Sequence, residues 1–336
     1  MDWFEKITGF KESSYKYAQS QLFEADGYLC SRQSTQRFAV GEFRLPSLAE
    51  LREQRGLSHS SGRLTVRNVS GDARKMHADP EYANALFQVA SQFNVLEMIT
   101  PHVTPEDGVT RYRNDPTQGP ACAIAAGAAT IYRNYLVPVG NQQGQTAARQ
   151  IDCLADLGAQ LIEHLDYPRS PLWQMRNGYA LATRDGLEMI GDLLGTMDPA
   201  DREALKGTLR IGVQQDVQVT ECDPDDGIFV SQAFCSAVPV AYSSLPASAW
   251  EPFARLVLEA AYEATVLAGL RNASRGKSNK LLLTRLGGGA FGNRDDWIDD
   301  AIRGALEQVV DEDLDVILVS HGVPSDNMLA IERVFS

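Results

Sequence analysis

Apolar side chains recur along this chain at two spacings, and the spacing changes from segment to segment. Between Gln150 and Leu165 they fall at Ile151, Leu154, Leu157, Leu161 and Ile162. That is the one-sided stripe of an amphipathic helix, which Pro168 and Pro171 bring to an end. Between Thr208 and Thr220 they alternate, at Leu209, Ile211, Val213, Val217 and Val219, with Gln214, Gln215 and Asp216 interrupting. This predicts one strand or two. Further on, the pattern predicts a strand pair over Ile228–Tyr242, a long helix over Pro252–Leu270 and a buried strand over Lys280–Leu286. A glycine turn at Gly287–Asn293, a helix over Asp295–Val310 and a closing strand at Asp315–His321 complete it. Strand, helix, strand, helix, strand is the order of an α/β protein with helices on both faces of its sheet.

The first half is less regular. Short helices are predicted at Ser13–Phe23 and at Leu48–Gly56, the second opened by Ser47 and Glu50 in capping-box spacing. An extended segment ends at Pro46, and a strand is expected at Arg63–Val66. Phe87, Val89 and Phe93 predict a strand that runs out at Asn94. Gly119-Pro120 opens an alanine-rich helix, with proline in a first-turn position where its missing N–H costs nothing. A short strand over Tyr135–Gly140 and helices from Arg184 and over Asp198–Leu205 follow.

Composition narrows the class. With 44% hydrophobic and 22% charged residues, the 336-residue chain has the make-up of a globular protein with a substantial core. The net charge of -13 argues against nucleic acid as a partner, since a backbone binder needs a basic stripe. No apolar run reaches bilayer length and the first residues lack a signal-peptide pattern, so no membrane partner is expected and the expected compartment is the cytoplasm. The five cysteines are odd in number and scattered, which fits reduced thiols. Neither they nor the histidines have zinc-ligand spacing, so no metal and no cofactor is expected.

Two stretches carry candidate chemistry. Glu97, Glu106, Asp107 and Asp115 crowd the loop between the strand at Phe87 and the helix at Gly119. Acid on a loop above rigid elements is a common layout for a site. The bland reading is a solvated turn in which Asp115 caps the following helix. The second stretch, Leu286-Gly-Gly-Gly-Ala-Phe-Gly-Asn293, satisfies the G-x-G-x-x-G fingerprint after a strand and before a helix. It lies too close to the chain end for a dinucleotide fold, and no Lys-Ser/Thr follows it as in a P-loop. Its backbone can still approach an anion closely. Phe291, on an exposed turn, calls for a partner: a ligand's ring or sugar face, or a buried pocket. A second acid loop, Glu221–Gly227, reads as a turn, with a cation site as its sharper alternative.

These residues resemble a macrodomain. The matching features are FQVASQFN ending at Asn94, the acid loop PEDG…DPTQGPACA…YRNY, and TRLGGGAFGN. The likeness points to the divergent branch related to poly(ADP-ribose) glycohydrolases, which includes a Legionella effector that removes ADP-ribose from an arginine of ubiquitin. It covers about residues 85–140 and 228–321. It implies a three-layer α/β/α mixed sheet forming an ADP-ribose-binding domain over 81–336, with a helical insertion at about 141–207 and an N-terminal extension over 1–80. By position, Asn94 corresponds to a ribose-facing asparagine, and Asp107 and Asp115, with Glu106 next, to the catalytic acids. Gly288, Gly289, Ala290, Phe291, Gly292 and Asn293 correspond to the diphosphate loop. The GGG…QEE signature of the polymer-cleaving enzymes is absent, which favours removal of single ADP-ribose units from a protein side chain, with arginine first and ubiquitin a possible carrier. A binding module without hydrolysis is the alternative. A cysteine hydrolase built on Cys122, with His77, His102 or His321 as base, is a third reading.

Overall fold

A computed structural model describes residues 1–336 with the exception of 57–61, 167, 223–226 and 336. Its centre is a seven-stranded sheet: β1 (Glu42–Arg44), β2 (Thr65–Ser70), β3 (Leu86–Ala90), β4 (Gly212–Gln218), β5 (Phe229–Cys235), β6 (Lys280–Leu283) and β7 (Asp315–Ser320). The spatial order is β1-β4-β5-β3-β6-β7-β2. From β5 to β2 the neighbours are parallel, while β4 runs antiparallel to both β1 and β5. The parallel strands read as continuous apolar runs because both of their faces are covered. Leu281, Leu283, Val316 and Leu318 pack into the cluster that holds the helices Ala247–Ser274 and Asp295–Glu307. Leu282, Ile317 and Val319, one residue out of phase, pack into the opposite cluster with Ala126 and Ala129. The architecture is the three-layer mixed α/β/α sheet that the sequence resemblance implied.

The alanine-rich segment forms two helices, Gln118–Ala125 and Gly127–Tyr135. Their small side chains let them lie between the sheet and an outer layer from the N-terminal residues. That layer is a three-stranded meander (Leu22–Ala25, Tyr28–Ser31, Ser34–Ala39) and the helices Trp3–Thr8 and Tyr15–Gln21. Phe4, Leu29 and Phe38 there pack against Ile124, Ala128 and Ile131. The sheet does not respect the expected boundary at residue 80. Its two edge strands, β1 and β2, both come from residues 1–80, because Val66 and the backbone of Phe43 find their partners in β7 and β4.

Several expected elements differ in extent. The strand at Phe87 ends at Ala90, four residues before Asn94, because the chain turns over Phe93–Leu96. Tyr135 closes a helix, and the strand expected there is a two-residue hairpin, Pro138–Val139 with Gln142–Gln143. The helix expected from Gln150 starts at Ala155. Thr208–Thr220 is one strand with a register shift between Gln214 and Val217, where Asp216 takes a positive φ of 57°. Ile228–Tyr242 supplies one strand, with the chain leaving the sheet after Cys235. The second acid loop falls largely on 223–226, outside the described residues.

One contact positions everything at the carboxyl end of the sheet. A Cβ on Gly119 would lie 1.9 Å from the Ala90 carbonyl oxygen, so only glycine lets the helix start against the end of β3. Gly119→Ala is expected to lower stability by about 1–3 kcal/mol, the usual cost of overpacking, read from the urea midpoint.

Candidate active site

β3 pairs with β5 along its whole length, from Leu86 to Ala90, but with β6 only at Leu86 and Phe87. Beyond Phe87 the two strands part. The backbone groups this leaves open are taken by one side chain: Gln118 accepts from the Ala90 N–H (2.8 Å) and donates to the Gln88 carbonyl (2.8 Å). Gln88 in turn accepts from the Thr284 N–H at 3.2 Å, holding the start of the loop after β6. The parting opens a groove at the carboxyl edge of the parallel strands, where α/β sheets commonly bind ligands. It has two lobes, of about 670 Å³ and about 180 Å³, and Ala90, Asp115, Gln118 and Arg285 line both.

The glycine loop walls the smaller lobe through Gly287, Gly289, Ala290 and Phe291. Gly287 (φ 75°) and Gly292 (φ 70°) adopt left-handed conformations that a side chain would strain. The loop closes on itself: Gly288 N–H donates to Arg285, Gly292 N–H to Gly289 and Asn293 N–H to Gly287. Among the described residues the N–H groups of Gly289, Ala290 and Phe291 find no acceptor. Three consecutive free donors on one lobe wall form a ready anion cradle. The Phe291 ring packs 5.2 Å from Tyr179 and 5.7 Å from Tyr242, and all three rings border the lobe. Tyr179 comes from the hairpin Trp173–Arg176/Tyr179–Ala182, which no sequence motif marked. Asn293 is buried and donates to the Val238 carbonyl at 2.9 Å; it, Gly288 and Gly292 support the loop from behind and line neither lobe.

The acids separate sharply. Asp115 is half-buried and stands where the lobes join; its Oδ1 accepts from the Thr117 N–H at 2.9 Å. Asp107 and Glu106 line neither lobe. Asp107 Oδ2 caps its own turn, accepting from the N–H (2.8 Å) and hydroxyl (3.0 Å) of Thr104. Glu106 accepts from the Ala147 N–H with both oxygens. Asn94 is fully buried outside the groove; its Oδ1 accepts from the Leu96 N–H and its Nδ2 donates to Gln150. It shapes the turn after β3.

Glu97 is the acid that density alone undervalued. It lines the smaller lobe, its side chain is fully buried, and its Oε2 has no hydrogen-bond partner. Oε1 faces the equally buried Arg133 guanidinium at 3.4 Å. Burial pushes the Glu97 carboxyl up to about 7, against the pull of Arg133 and the Tyr112 hydroxyl. Cys122 is fully buried with its thiol pushed up by desolvation, the reverse of an activated nucleophile. His77 is buried beneath the sheet, stacked on Phe87, while His102 and His321 are exposed on separate loops. Among the described residues no group of three or more His, Cys, Asp or Glu could hold a metal ion, and no helix is long and apolar enough to cross a membrane.

No protein-family model matches the sequence, and no curated protein matches it. Among solved structures, the chain is similar to the poly(ADP-ribose) glycohydrolase of Deinococcus radiodurans in complex with ADP-ribose. The identity is 13% over 87% of this chain and 93% of that one, with a TM-score of 0.46. It is also similar to the poly(ADP-ribose) glycohydrolase of Thermomonospora curvata, at 12% identity over 99% of this chain and 97% of that one, TM-score 0.45. The T. curvata enzyme bound to the inhibitor ADP-HPD gives a TM-score of 0.43 over the same shares.

Glu97 holds its proton more tightly in the folded protein than at its ordinary value of 4.5. Its contribution to stability is therefore greatest below about pH 4.5 and is lost as pH rises toward 7. The stability of wild type relative to Glu97→Gln is expected to fall across that window, as measured by denaturant unfolding at half-unit pH steps.

Proposed function

We propose that the protein is a hydrolase that removes single ADP-ribose units from a protein side chain, arginine first among them, with ubiquitin a candidate carrier. The observation that carries this reading is that Gly289, Ala290 and Phe291, whose N–H groups find no acceptor among the described residues, line the same groove as Asp115. A diphosphate suits the cradle, and the two joined lobes suit a ligand with a bulky group at each end of that anion. The aromatic wall of Phe291, Tyr179 and Tyr242 offers apolar faces to a ribose or a base.

Cleavage of an ADP-ribosyl bond breaks the ribose C1–N bond through a transition state with positive charge on the sugar. Asp115 is suited to orient a water toward that carbon and to take its proton, while the departing guanidine nitrogen is protonated as the bond breaks. Asp107 and Glu106, outside the groove, are acids that a cationic side chain of the carrier could meet. Arg111 already stands 4.0 Å from Asp107 Oδ1, so a guanidinium fits beside it. Asp107 is bonded to Thr104 of its own turn and Glu106 to the Ala147 N–H of a separate segment, and these bonds favour the second reading, an ADP-ribose-binding module without hydrolysis.

Calorimetry with ADP-ribose and a release assay on arginine- and glutamate-linked substrates separate the two. Asp115→Asn is expected to slow release by about 100-fold or more, the usual weight of a general base, with ADP-ribose affinity kept within about threefold. Wild type that binds but releases nothing would establish the binding module. Phe291→Ala is expected to weaken ADP-ribose about tenfold in the same titration, the scale of one lost aromatic stacking contact.

A further inference from the structure

The smaller lobe contains an apparent contradiction. One wall offers the free N–H groups of Gly289–Phe291, a cradle for negative charge, and another carries the buried acid Glu97. A bare carboxylate in a lobe of about 180 Å³ would repel the anion that the cradle attracts.

The contacts of Glu97 resolve it. Its Oε1 lies 3.4 Å from the Arg133 guanidinium, longer than the 2.7–2.9 Å typical of a strong charged hydrogen bond. Arg133 also donates to the Val95 carbonyl (3.0 Å), Gln214 Oε1 (2.9 Å) and the Thr130 hydroxyl (3.2 Å). Glu97 lines the lobe, and its Oε2 is buried without a hydrogen-bond partner. An orphaned carboxyl oxygen is costly in a folded protein unless a ligand completes it. Resting on the ADP-ribose reading above, we infer that Glu97 is a proton-coupled binding residue: as a neutral acid it donates a hydrogen bond from Oε2 to an anionic oxygen of the ligand. Binding then takes up a proton wherever the free protein has lost it, and the site closes to anions as pH rises.

Burial already holds the carboxyl near neutrality in the free protein, and a bound diphosphate would hold its proton more firmly still. The charged and titratable groups around Glu97 come from several elements. They are Arg133 and Cys122 on the two alanine-rich helices, Tyr112 on the turn before them, and Asp115, Arg285, Tyr179 and Tyr242 around the lobe. Glu97→Gln separates its share from theirs, because the amide copies the neutral acid, keeping a donor and carrying no charge.

Titration of the full chain with ADP-ribose between pH 6 and pH 8 tests this. Wild-type Kd is expected to rise about tenfold across the range, as follows for a group that loses its proton near 7. Glu97→Gln should match wild type at pH 6, vary by less than about twofold, and bind about tenfold more tightly than wild type at pH 8. A structural role for Glu97 predicts weaker binding by the variant at every pH. Should the variant fold poorly by circular dichroism, the infrared band of a protonated carboxyl in wild type at pH 7.5 gives the answer, since it should grow on saturation with ADP-ribose. A wild-type Kd independent of pH, a Glu97→Gln variant that keeps the wild-type pH dependence, or a carboxyl band that shrinks on binding would overturn the inference while leaving the ADP-ribose reading intact. No binding at pH 6 by either protein would overturn both.

Discussion

A single buried cation holds the site's framework together. Arg133 lies wholly inside the protein, with its guanidinium 3.7 Å over the Phe234 ring of β5. It bonds to the turn after β3 through Val95, to β4 through Gln214, to its own helix through Thr130 and to the groove wall through Glu97. Desolvating a guanidinium costs several kcal/mol unless its donors are met, and here four acceptors from three segments, the loop after β3, β4 and its own helix, bond to it. The cation thereby sets how far the loop after β3 can move from the sheet. Arg133 thus anchors from beneath the loop that carries Glu97 to the smaller lobe.

The groove follows from a failure of strand pairing. β3 and β6 meet over only two residue pairs, and the side chains of Gln88 and Gln118 bond to the Gln88 carbonyl and the N–H groups of Ala90 and Thr284 at their parting. Glycine at 119 lets a helix press against the end of β3, and small side chains on that helix leave room for the N-terminal meander outside it. The first eighty residues are therefore both a cover and a structural part of the sheet. They provide its edges, and Glu12 accepts from the N–H groups of Val109 and Thr110, fixing the loop that leads to Asp115.

Much of this framework was legible in the chain. Parallel strands with two covered faces announce themselves as unbroken apolar runs, as in Lys-Leu-Leu-Leu at β6, and the glycine loop after it stood out by composition. The edge strands are fainter: the strand expected at Arg63–Val66 runs from Thr65 to Ser70, and Glu42–Arg44, within the extended segment that ends at Pro46, is short and polar on its outer side. Tyr179 and Tyr242 were invisible for a different reason: nothing local says that residues 179, 242 and 291 converge. Arg133 did leave a trace. It falls on the same helical face as Ala126, Ala129 and Thr130, all buried, and a charge on such a face requires an acid or a set of carbonyls opposite it.

Acid density was a poor guide to which carboxylate can react, and the reason is physical. An acid on a tight loop is surrounded by unsatisfied N–H groups, and the loop's own geometry consumes its lone pairs. Asp107 shows this in its bonds to Thr104, while both oxygens of Glu106 are taken by the Ala147 N–H of a separate segment. Asp115 gives one oxygen to the Thr117 N–H and stands at the junction of the lobes. Glu97 gives one oxygen to Arg133 and has the other unmatched. The count that matters is of carboxylate oxygens left without a protein partner beside an open volume. By that count the four acids of the loop reduce to two, Asp115 half-exposed at the junction of the lobes and Glu97 buried, where desolvation favours the protonated form. Burial drives one of the two, Glu97, toward its neutral form, so the groove sets a buried hydrogen-bond donor beside the half-exposed Asp115.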